Sequence, residues 1–274
     1  NQGKLDFING IDGSVKDLIL NKNGTLKIEF QDKMHLEKQV YLNTEYLGIN
    51  VTLSSKDQSY SNPLLERKVR QAIQYAIDRK KIVTYYRNGI GVAANHGFIP
   101  KGLPGSNFGN ANVDYDYNPN KALSLLEEAG FPNGKGLGVI TLNTPESNVD
   151  VCNFVASQLK DIGIDAKINV MQPGILRQLM SKEDVAFFKA QWIADFPDGE
   201  SFLSFFLSTL PAPPNYTRFN NRNFDNWYHQ SITASNDSIR YKLYQQMDSL
   251  IMYESPVIPL FYDEILHFVQ KNVQ

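Results

Sequence analysis

Apolar and polar residues follow two recurring patterns along the chain, one typical of strands and one typical of helices. Runs rich in β-branched and aromatic residues predict strands at residues 39–53, 136–144, 164–172, 185–192 and 256–270. A short run at 4–9 and the segment that follows an Asn-Gly turn at 23–24 are further strand candidates. The strands are therefore spread over the whole length of the chain.

Between these runs, apolar residues recur at helical spacing. The clearest block begins with Asn62 as a possible cap and Pro63 at the first helical position. Its apolar residues share one helix face: Val69, Ala72, Ile73, Ala76 and Ile77. Asp78 is expected to cap a second helix, and Asn118 a third that stops at Gly130. Further helices are predicted at 12–20, 149–163, 175–180, 199–208, 223–234 and 238–253.

The order of these elements indicates the class of fold. Residues 136–172 read as strand, helix and strand, which is the pattern of a parallel right-handed crossover. Alternating strands and helices predict an α/β sheet with helices on its faces. Residues 89–117 are rich in Gly and Pro without a sustained period, and a loop of that length is expected to be functional.

Composition narrows the class of protein. The chain has 274 residues, 42% of them hydrophobic and 20% charged, so a packed core is expected. The formal net charge of −2 gives no electrostatic footprint for nucleic acid. No apolar run reaches the length of a membrane span, and the N-terminus lacks the pattern of a signal peptide. It starts directly in strand-like sequence, as expected of a chain cut from a longer one.

Signatures of catalysis are few. The only cysteine, Cys152, excludes an internal disulfide and lies on the apolar side of its helix, where an inert buried thiol is expected. The four histidines are far apart and lack the spacing of metal ligands. Residues 89–94 match the letters of a dinucleotide-binding turn but follow a helix rather than a strand, so that interpretation is rejected. No cofactor is expected.

An acidic cluster follows the strand at 185–192. Asp198 and Glu200 are suited to the start of the next helix. Asp195 lies too early to cap that helix, and Trp192 puts an aromatic face beside it. Two carboxyl groups of this cluster could also serve a glycosidase, so a binding role and an acid/base role both stay open at this point.

Several motifs, in order along the chain, resemble family-5 extracytoplasmic solute-binding proteins, the receptors of ABC importers for peptides, nickel or oligosaccharides. The run VRQAIQYAIDR at 69–79 is similar to the helix pair of that family, and IPKGLPG at 99–105 to its following loop. YDYNPNKALSLLEEAGF at 115–131 and the segment at 240–262 resemble two further family motifs. The resemblance covers essentially the whole chain.

The resemblance implies a lobe of a type II periplasmic-binding-protein fold, with a mixed sheet flanked by helices. Family members are about twice as long and two-lobed, so the chain is expected to be a fragment. Residues 1–46 would end the N-terminal lobe, and residues 47–274 would form the C-terminal ligand-binding lobe. The resemblance further implies no catalysis, a peptide ligand, closure about a hinge, a permease partner and a periplasmic or lipid-anchored location. A monomer without nucleic acid is expected.

Four residues fall on positions that bind ligand in the family. Trp192 corresponds to a wall of the cleft, and Asp195 to the partner of a peptide's α-ammonium. Lys189 corresponds to a cation that meets the ligand's carboxylate, although an exposed strand lysine is an equal alternative. Asn148 stands where other members carry His or Arg, so that second carboxylate contact is expected to be weak or absent.

Three alternatives remain. The same fold could bind an oligosaccharide or a nickel chelate, and Asp195 argues against neutral sugars. A ligand-sensing domain of a transcriptional regulator is possible if the missing N-terminus held a DNA-binding module. A glycoside hydrolase that uses Asp195 and Glu200 is the third.

Overall fold

A seven-stranded mixed sheet organises the part of the chain that the computed structural model describes, residues 5–10, 13–53, 62–110 and 114–273. Its strand order is β1-β7-β2-β6-β4-β5, and β3 pairs with β7. The strands are β1 (Phe7–Asn9), β2 (Met34–Ile49), β3 (Val92–Ala93), β4 (Val139–Thr144), β5 (Asp165–Val170), β6 (Phe187–Ile193) and β7 (Val257–Gln270). β2 is antiparallel to both of its neighbours, whereas β4 is parallel to β5 and β6.

Helices cover this sheet, as the alternation of elements predicts. They are α1 (Gly13–Ile19), α2 (Ile28–Gln31), α3 (Arg67–Ala76), α4 (Arg79–Lys81), α5 (Pro119–Glu128), α6 (Val149–Asp161), α7 (Pro173–Ser181), α8 (Glu200–Leu203), α9 (Arg222–Ile232) and α10 (Asp237–Glu254). The predicted caps are present: Asn118 accepts the N–H of Lys121, and Asp78 that of Lys81. The predicted crossover is confirmed, since α6 connects the parallel strands β4 and β5.

The sequence pattern was misleading at three places. The segment after the Asn23-Gly24 turn is the short helix α2, and the strand begins only at Met34, because Leu26 and Phe30 pack into a small cluster beside it. The predicted helix at 199–208 ends at Leu203 and continues as a 3-10 turn to Phe206. The predicted second helix of the pair is α4 followed by a π-turn over Ile82–Tyr86.

Two hydrophobic clusters lie on opposite faces of the sheet. Leu47 of β2 belongs to the first cluster and its neighbour Tyr46 to the second, because successive side chains of a strand point to opposite faces. The first cluster includes Val69 and the buried Cys152, whose thiol donates to the Thr144 hydroxyl at 3.3 Å. The buried position expected for this cysteine is confirmed, and burial raises the pKa of its thiol. The second cluster is rich in aromatic rings: Phe98, Phe202, Phe205, Phe206, Phe219 and Phe224.

Buried polar side chains hold the long segment at 89–117 against the fold. The carboxylate of Asp248, fully buried on α10, accepts the N–H of Phe98 at 2.7 Å and the amide of Asn107 at 3.2 Å. Burial raises the pKa of Asp248 to about 7, although these hydrogen bonds oppose the rise. The described part of the segment around Phe98 and Asn107 is thus held against the core.

The guanidinium of Arg79 lies in the core and contacts three separate segments. It donates to the carbonyl of Pro259 on β7 at 2.6 Å, to that of Tyr115 at 3.0 Å and to that of Gln74 on α3 at 2.9 Å. Burial lowers the pKa of Arg79 to about 10, so the side chain stays protonated at neutral pH. Arg79 therefore joins the end of the helix pair to the sheet.

The boundary proposed between residues 46 and 47 falls within β2, a strand from Met34 to Ile49 whose pairing with β7 shifts register between Val40 and Thr44 and again between Glu45 and Tyr46. The division into lobes stays a prediction. Among the described residues, no helix combines the length and the apolar character that a membrane crossing requires.

Candidate functional site

A cavity of about 510 Å³ opens where β6 separates from β4. Its volume lies within the range of small-molecule sites. All four residues predicted from the sequence line it: Asn148, Lys189, Trp192 and Asp195. The fold thus brings together side chains from the start of α6, from β6 and from the turn after β6.

The second edge of β6 faces this cavity. In the described pairing, β4 contacts β6 only at Phe187 and Phe188, whereas β2 pairs with β6 as far as Ile193. Ala194 donates its N–H to Leu42 on the β2 side. Because backbone groups of an antiparallel strand point alternately to the two sides, those of Gln191 and Ile193 point away from β2. They are directed to the edge that β4 has left.

Ser201, on the short helix α8, holds both Trp192 and Asp195. The Trp192 indole N–H donates to the Ser201 carbonyl at 2.8 Å, and the Asp195 backbone N–H donates to the Ser201 hydroxyl at 2.9 Å. The Trp192 ring also packs against Phe205, with 5.0 Å between ring centroids. One buried serine therefore fixes the geometry of two predicted site residues.

The carboxylate of Asp195 is directed away from the core. Asp195 is exposed, and within the described ranges no Lys, Arg or His side chain lies at ion-pair distance from its oxygens. A carboxylate that is fixed at its backbone and has no cation beside it is suited to hold a ligand cation.

The other two acids of the cluster have structural partners. Asp198 accepts the N–H of Glu200 at 2.9 Å and forms an ion pair with Arg240 at 3.0 Å. Glu200 accepts the hydroxyl of Tyr228 at 3.0 Å, which together with burial raises the pKa of Tyr228. Neither acid lines the cavity with Asp195. The N-cap residue of α8 is Gly199 rather than either acid, although Asp198 does accept the N–H at the start of that helix. Both acids of the cluster are thus paired, and neither is a free second carboxyl beside Asp195 for a glycosidase.

Lys189 lies in the floor of the cavity and is only 2% exposed, so it is not an exposed strand lysine. Its ammonium forms an ion pair with the Glu45 carboxylate of β2 and also donates to the Ala190 carbonyl at 2.8 Å. This pairing could not be predicted from the sequence, because it depends on the register between β2 and β6.

Other lining residues were not predicted from the sequence. Helix α7 contributes Pro173, Leu176, Arg177 and Met180, which recur at the spacing of one helix face. Tyr46 and Tyr216 add hydroxyl-bearing aromatic rings. The same helical spacing in the sequence could have identified the α7 face, but nothing in it showed which face meets the cavity.

Asn148 ends a 3-10 turn and lies beside Pro145 and Ser147 at one side of the cavity. Its uncharged amide can take part in hydrogen bonds but cannot form an ion pair. As for metals, no group of three His, Cys, Asp or Glu side chains in the described residues is placed to hold an ion.

Comparison with known proteins gives relatives of about twice this length. The chain is 27% identical over 236 residues to the glutathione-binding protein GsiB of Escherichia coli K12, covering 83% of this chain and 44% of that protein. It is 29% identical over 252 residues to heme-binding protein A of Haemophilus influenzae, covering 89% of this chain and 44% of that protein. The chain thus spans less than half the length of these relatives.

A similar fold occurs in solved structures. The periplasmic binding protein DppA of Helicobacter pylori, in complex with the peptide STSA, matches with a TM-score of 0.77 and 22% identity, over 99% of this chain and 50% of that one. The expected α/β lobe with a mixed sheet and flanking helices is confirmed. The family model for bacterial extracellular solute-binding proteins, family 5 (Middle), matches residues 1–213. The chain therefore belongs to family 5 of the bacterial extracellular solute-binding proteins.

Proposed function

We propose that the chain forms one wall of a peptide-binding cleft in the substrate-binding component of an ABC importer, and that it catalyses no reaction. The observation that carries this proposal is a single cavity in which the open edge of β6 lies beside the Asp195 carboxylate. The main chain of an extended peptide could pair with the open edge of β6, and its terminal ammonium could pair with the Asp195 carboxylate.

The open edge of β6 accounts for binding of the ligand's main chain. Gln191 and Ile193 direct their N–H and C=O groups to that edge, so an extended peptide can add there as a further strand. Main-chain pairing is independent of the ligand's side chains. The site would therefore accept peptides of varied sequence.

Asp195 and Trp192 account for the end of the ligand. The α-ammonium of a peptide would pair with the Asp195 carboxylate in a charge-assisted hydrogen bond. Trp192, held by Ser201 and Phe205, offers a fixed aromatic face within reach of the same cation. Asn148 would add a neutral hydrogen bond. The ammonium of Lys189 lies in the floor, where the Glu45 carboxylate already compensates its charge.

The wall described here is open to water, and the opposing wall would come from the other lobe of a longer protein. Residues 1–46 would end that N-terminal lobe, and residues 47–274 would form the C-terminal one. An ion pair exposed to water contributes about 0 to 1 kcal/mol. The chain alone should therefore be a folded monomer that binds peptides no better than roughly millimolar, about −4 kcal/mol. The longer protein would act in the periplasm or as a cell-envelope lipoprotein and deliver its ligand to a membrane permease.

Other ligands on this fold are alternatives to peptides. A neutral oligosaccharide would leave the Asp195 carboxylate without a cation. A nickel chelate or heme would have to be bound without the pair between Asp195 and a peptide ammonium. A ligand-sensing domain of a transcriptional regulator would use the same cavity, and the upstream gene sequence would distinguish it from an importer receptor by a DNA-binding domain in place of a signal peptide.

The substitution Asp195→Asn tests the proposal. Trialanine and N-acetyl-trialanine would be titrated into the chain at millimolar concentration, with the Trp192 indole resonance followed by NMR. The variant should weaken binding of trialanine by up to about fivefold, because about 1 kcal/mol of ion pairing is lost at an open site. In the full-length protein the loss should reach about 2 kcal/mol or more, because closure removes water from the pair.

N-acetyl-trialanine and the control variant Asp161→Asn make the result specific. The acetylated peptide has no ammonium, so Asp195→Asn should change its affinity little. Asp161 is exposed at the end of α6, so its removal takes away the same charge without touching the cavity. Equal losses for both peptides would contradict the assignment of Asp195. Saturation of the wild-type chain at micromolar peptide would contradict the need for a second wall.

A further inference from the structure

We propose that Glu45 determines the charge preference of the cavity: by neutralising Lys189 it withholds a cation from the floor, and it leaves Arg177 to bind the ligand's carboxylate. This inference rests on the proposed binding of peptides. It assigns the carboxylate end of the ligand to a residue of α7 rather than to the strand lysine.

The ion pair between Lys189 and Glu45 is internal to the fold. The side chains are 1% and 8% exposed, respectively. One carboxylate oxygen of Glu45 accepts the Lys189 ammonium, and the other accepts the Asn43 amide at 3.3 Å. The Lys189 ammonium also donates a hydrogen bond to the Ala190 carbonyl. The floor of the cavity is therefore close to neutral, although it contains a lysine.

A ligand carboxylate brought to Lys189 would meet Glu45 at the same time. Two carboxylates that close together repel each other strongly where water is excluded. The ligand carboxylate and Glu45 would also compete for the same Lys189 ammonium. A buried pair that already satisfies its own charges gives little attraction to a further anion. Glu45 thus acts against an anion in the floor, even though it does not need to touch the ligand.

Arg177 differs from Lys189 in each of these respects. It lines the same cavity and is exposed, and across the described ranges no Asp or Glu side chain lies at ion-pair distance from its guanidinium. Its planar group can hold a carboxylate through two parallel hydrogen bonds. Arg177 extends from α7, whereas Asp195 lies beyond the end of β6, so the two unpaired charges of opposite sign come from different elements of one cavity. A zwitterionic peptide could span them.

The test compares trialanine with trialanine amide, which lacks the carboxylate. The measured quantity is the ratio of the two dissociation constants for each variant, because a general weakening of the site cancels in a ratio. Wild type should prefer the free acid by about fivefold, the factor that corresponds to about 1 kcal/mol at an exposed pair. Arg177→Gln should bring the ratio close to one. The double variant Glu45→Gln with Lys189→Met, which removes both charges of the buried pair, should leave it within about twofold of wild type, since the pair is already neutral as a whole.

Glu45→Gln is the most direct variant, because glutamine keeps the shape and one acceptor oxygen but removes the charge. It should unmask Lys189 and raise the preference for the free acid at least about threefold above wild type. The double variant Glu45→Gln with Lys189→Met should lose that gain. Arg222→Gln, an exposed arginine at the start of α9 away from the cavity, controls for a change in net charge.

A loss of preference in the double variant Glu45→Gln with Lys189→Met, or an unchanged ratio in Arg177→Gln, would overturn the inference. If Glu45→Gln alone does not fold, the comparison of Arg177→Gln with the double variant decides, because the double variant leaves no unpaired buried charge. If wild type binds trialanine but no variant changes the ratio, only this inference fails. If wild type binds neither peptide, the proposed function fails and takes the inference with it.

Discussion

Replacing Arg79 with methionine should destabilise the fold strongly, because it joins Gln74 on the preceding helix to two segments that lie far along the chain. Its guanidinium is buried and donates to carbonyl groups of three segments, at Pro259, Tyr115 and Gln74. No carboxylate among the described residues pairs with it at ion-pair distance. The backbone dipoles of these segments therefore stabilise the charge.

The magnitude follows from these contacts. Methionine has a similar length but no donor, so the three carbonyl oxygens would lose their partner in a site closed to water. Each unsatisfied buried group costs about 1 to 3 kcal/mol. Removal of a buried charge returns part of this, because its desolvation is no longer required. We expect a net loss of about 3 to 5 kcal/mol in the free energy of unfolding, the range found when a buried hydrogen-bonded network is broken.

The assay is equilibrium urea unfolding followed by far-ultraviolet circular dichroism at neutral pH. Lys80→Met is a matched control, because it removes the adjacent charge at an exposed position whose ion pair with Asp116 spans 3.4 Å. That variant should lose less than about 1 kcal/mol. A loss below about 1 kcal/mol for Arg79→Met would refute the reasoning, since it would show that water or neighbouring groups satisfy the carbonyls as well as arginine does.

Three further predictions concern buried groups. Val69→Asp should abolish cooperative unfolding, because an unpaired carboxylate would replace a core side chain that is 1% exposed; a soluble variant with a sharp thermal transition would contradict this. Since the pKa of Asp248 is raised to about 7 in the fold, its contribution to stability should be full below about pH 4 and fall by up to about 4 kcal/mol as the pH rises to about 7. Urea unfolding of wild type and Asp248→Asn at stepped pH measures this, and a constant difference between them would show no raised pKa. Ser201→Ala should cost about 1 kcal/mol in stability and reduce the preference for trialanine over its N-acetyl form at least about twofold, because the Asp195 N–H loses its acceptor. An unchanged preference in the same NMR titration would show that Ser201 does not position Asp195.

Much of the fold could be predicted because local chemistry and tertiary packing agree. Asn118 before Pro119 and Gly130 after the helix mark α5 in the sequence, and the structure uses all three as the pattern indicates. Helix α2 was missed because its four residues carry a strand-like pattern. There the packing of Leu26 and Phe30 decides the conformation, and that packing involves residues as distant as Leu266 and Phe268.

In the candidate site, too, residues close in sequence could be predicted, whereas contacts between distant residues could not. Trp192 and Asp195 could be assigned from a motif because they are close in sequence and act from one turn. The partner of Lys189 could not, since Glu45 is separated from it by 144 residues and only the pairing of β2 with β6 brings the two together. Arg177 was missed for a related reason. Its helix was predicted, but the side of that helix that meets the cavity depends on where β6 leaves β4.

The burial of Cys152 makes the rate of its alkylation a measure of how often the fold opens locally. It is the only cysteine, it is fully buried between α6 and the sheet, and burial raises the pKa of its thiol. Alkylating reagents attack the thiolate and need access to it, so modification can proceed only in moments when α6 has opened away from β4. The rate at which such a reagent consumes the thiol therefore reports the frequency of that opening, with no added probe and no second cysteine to confuse the count.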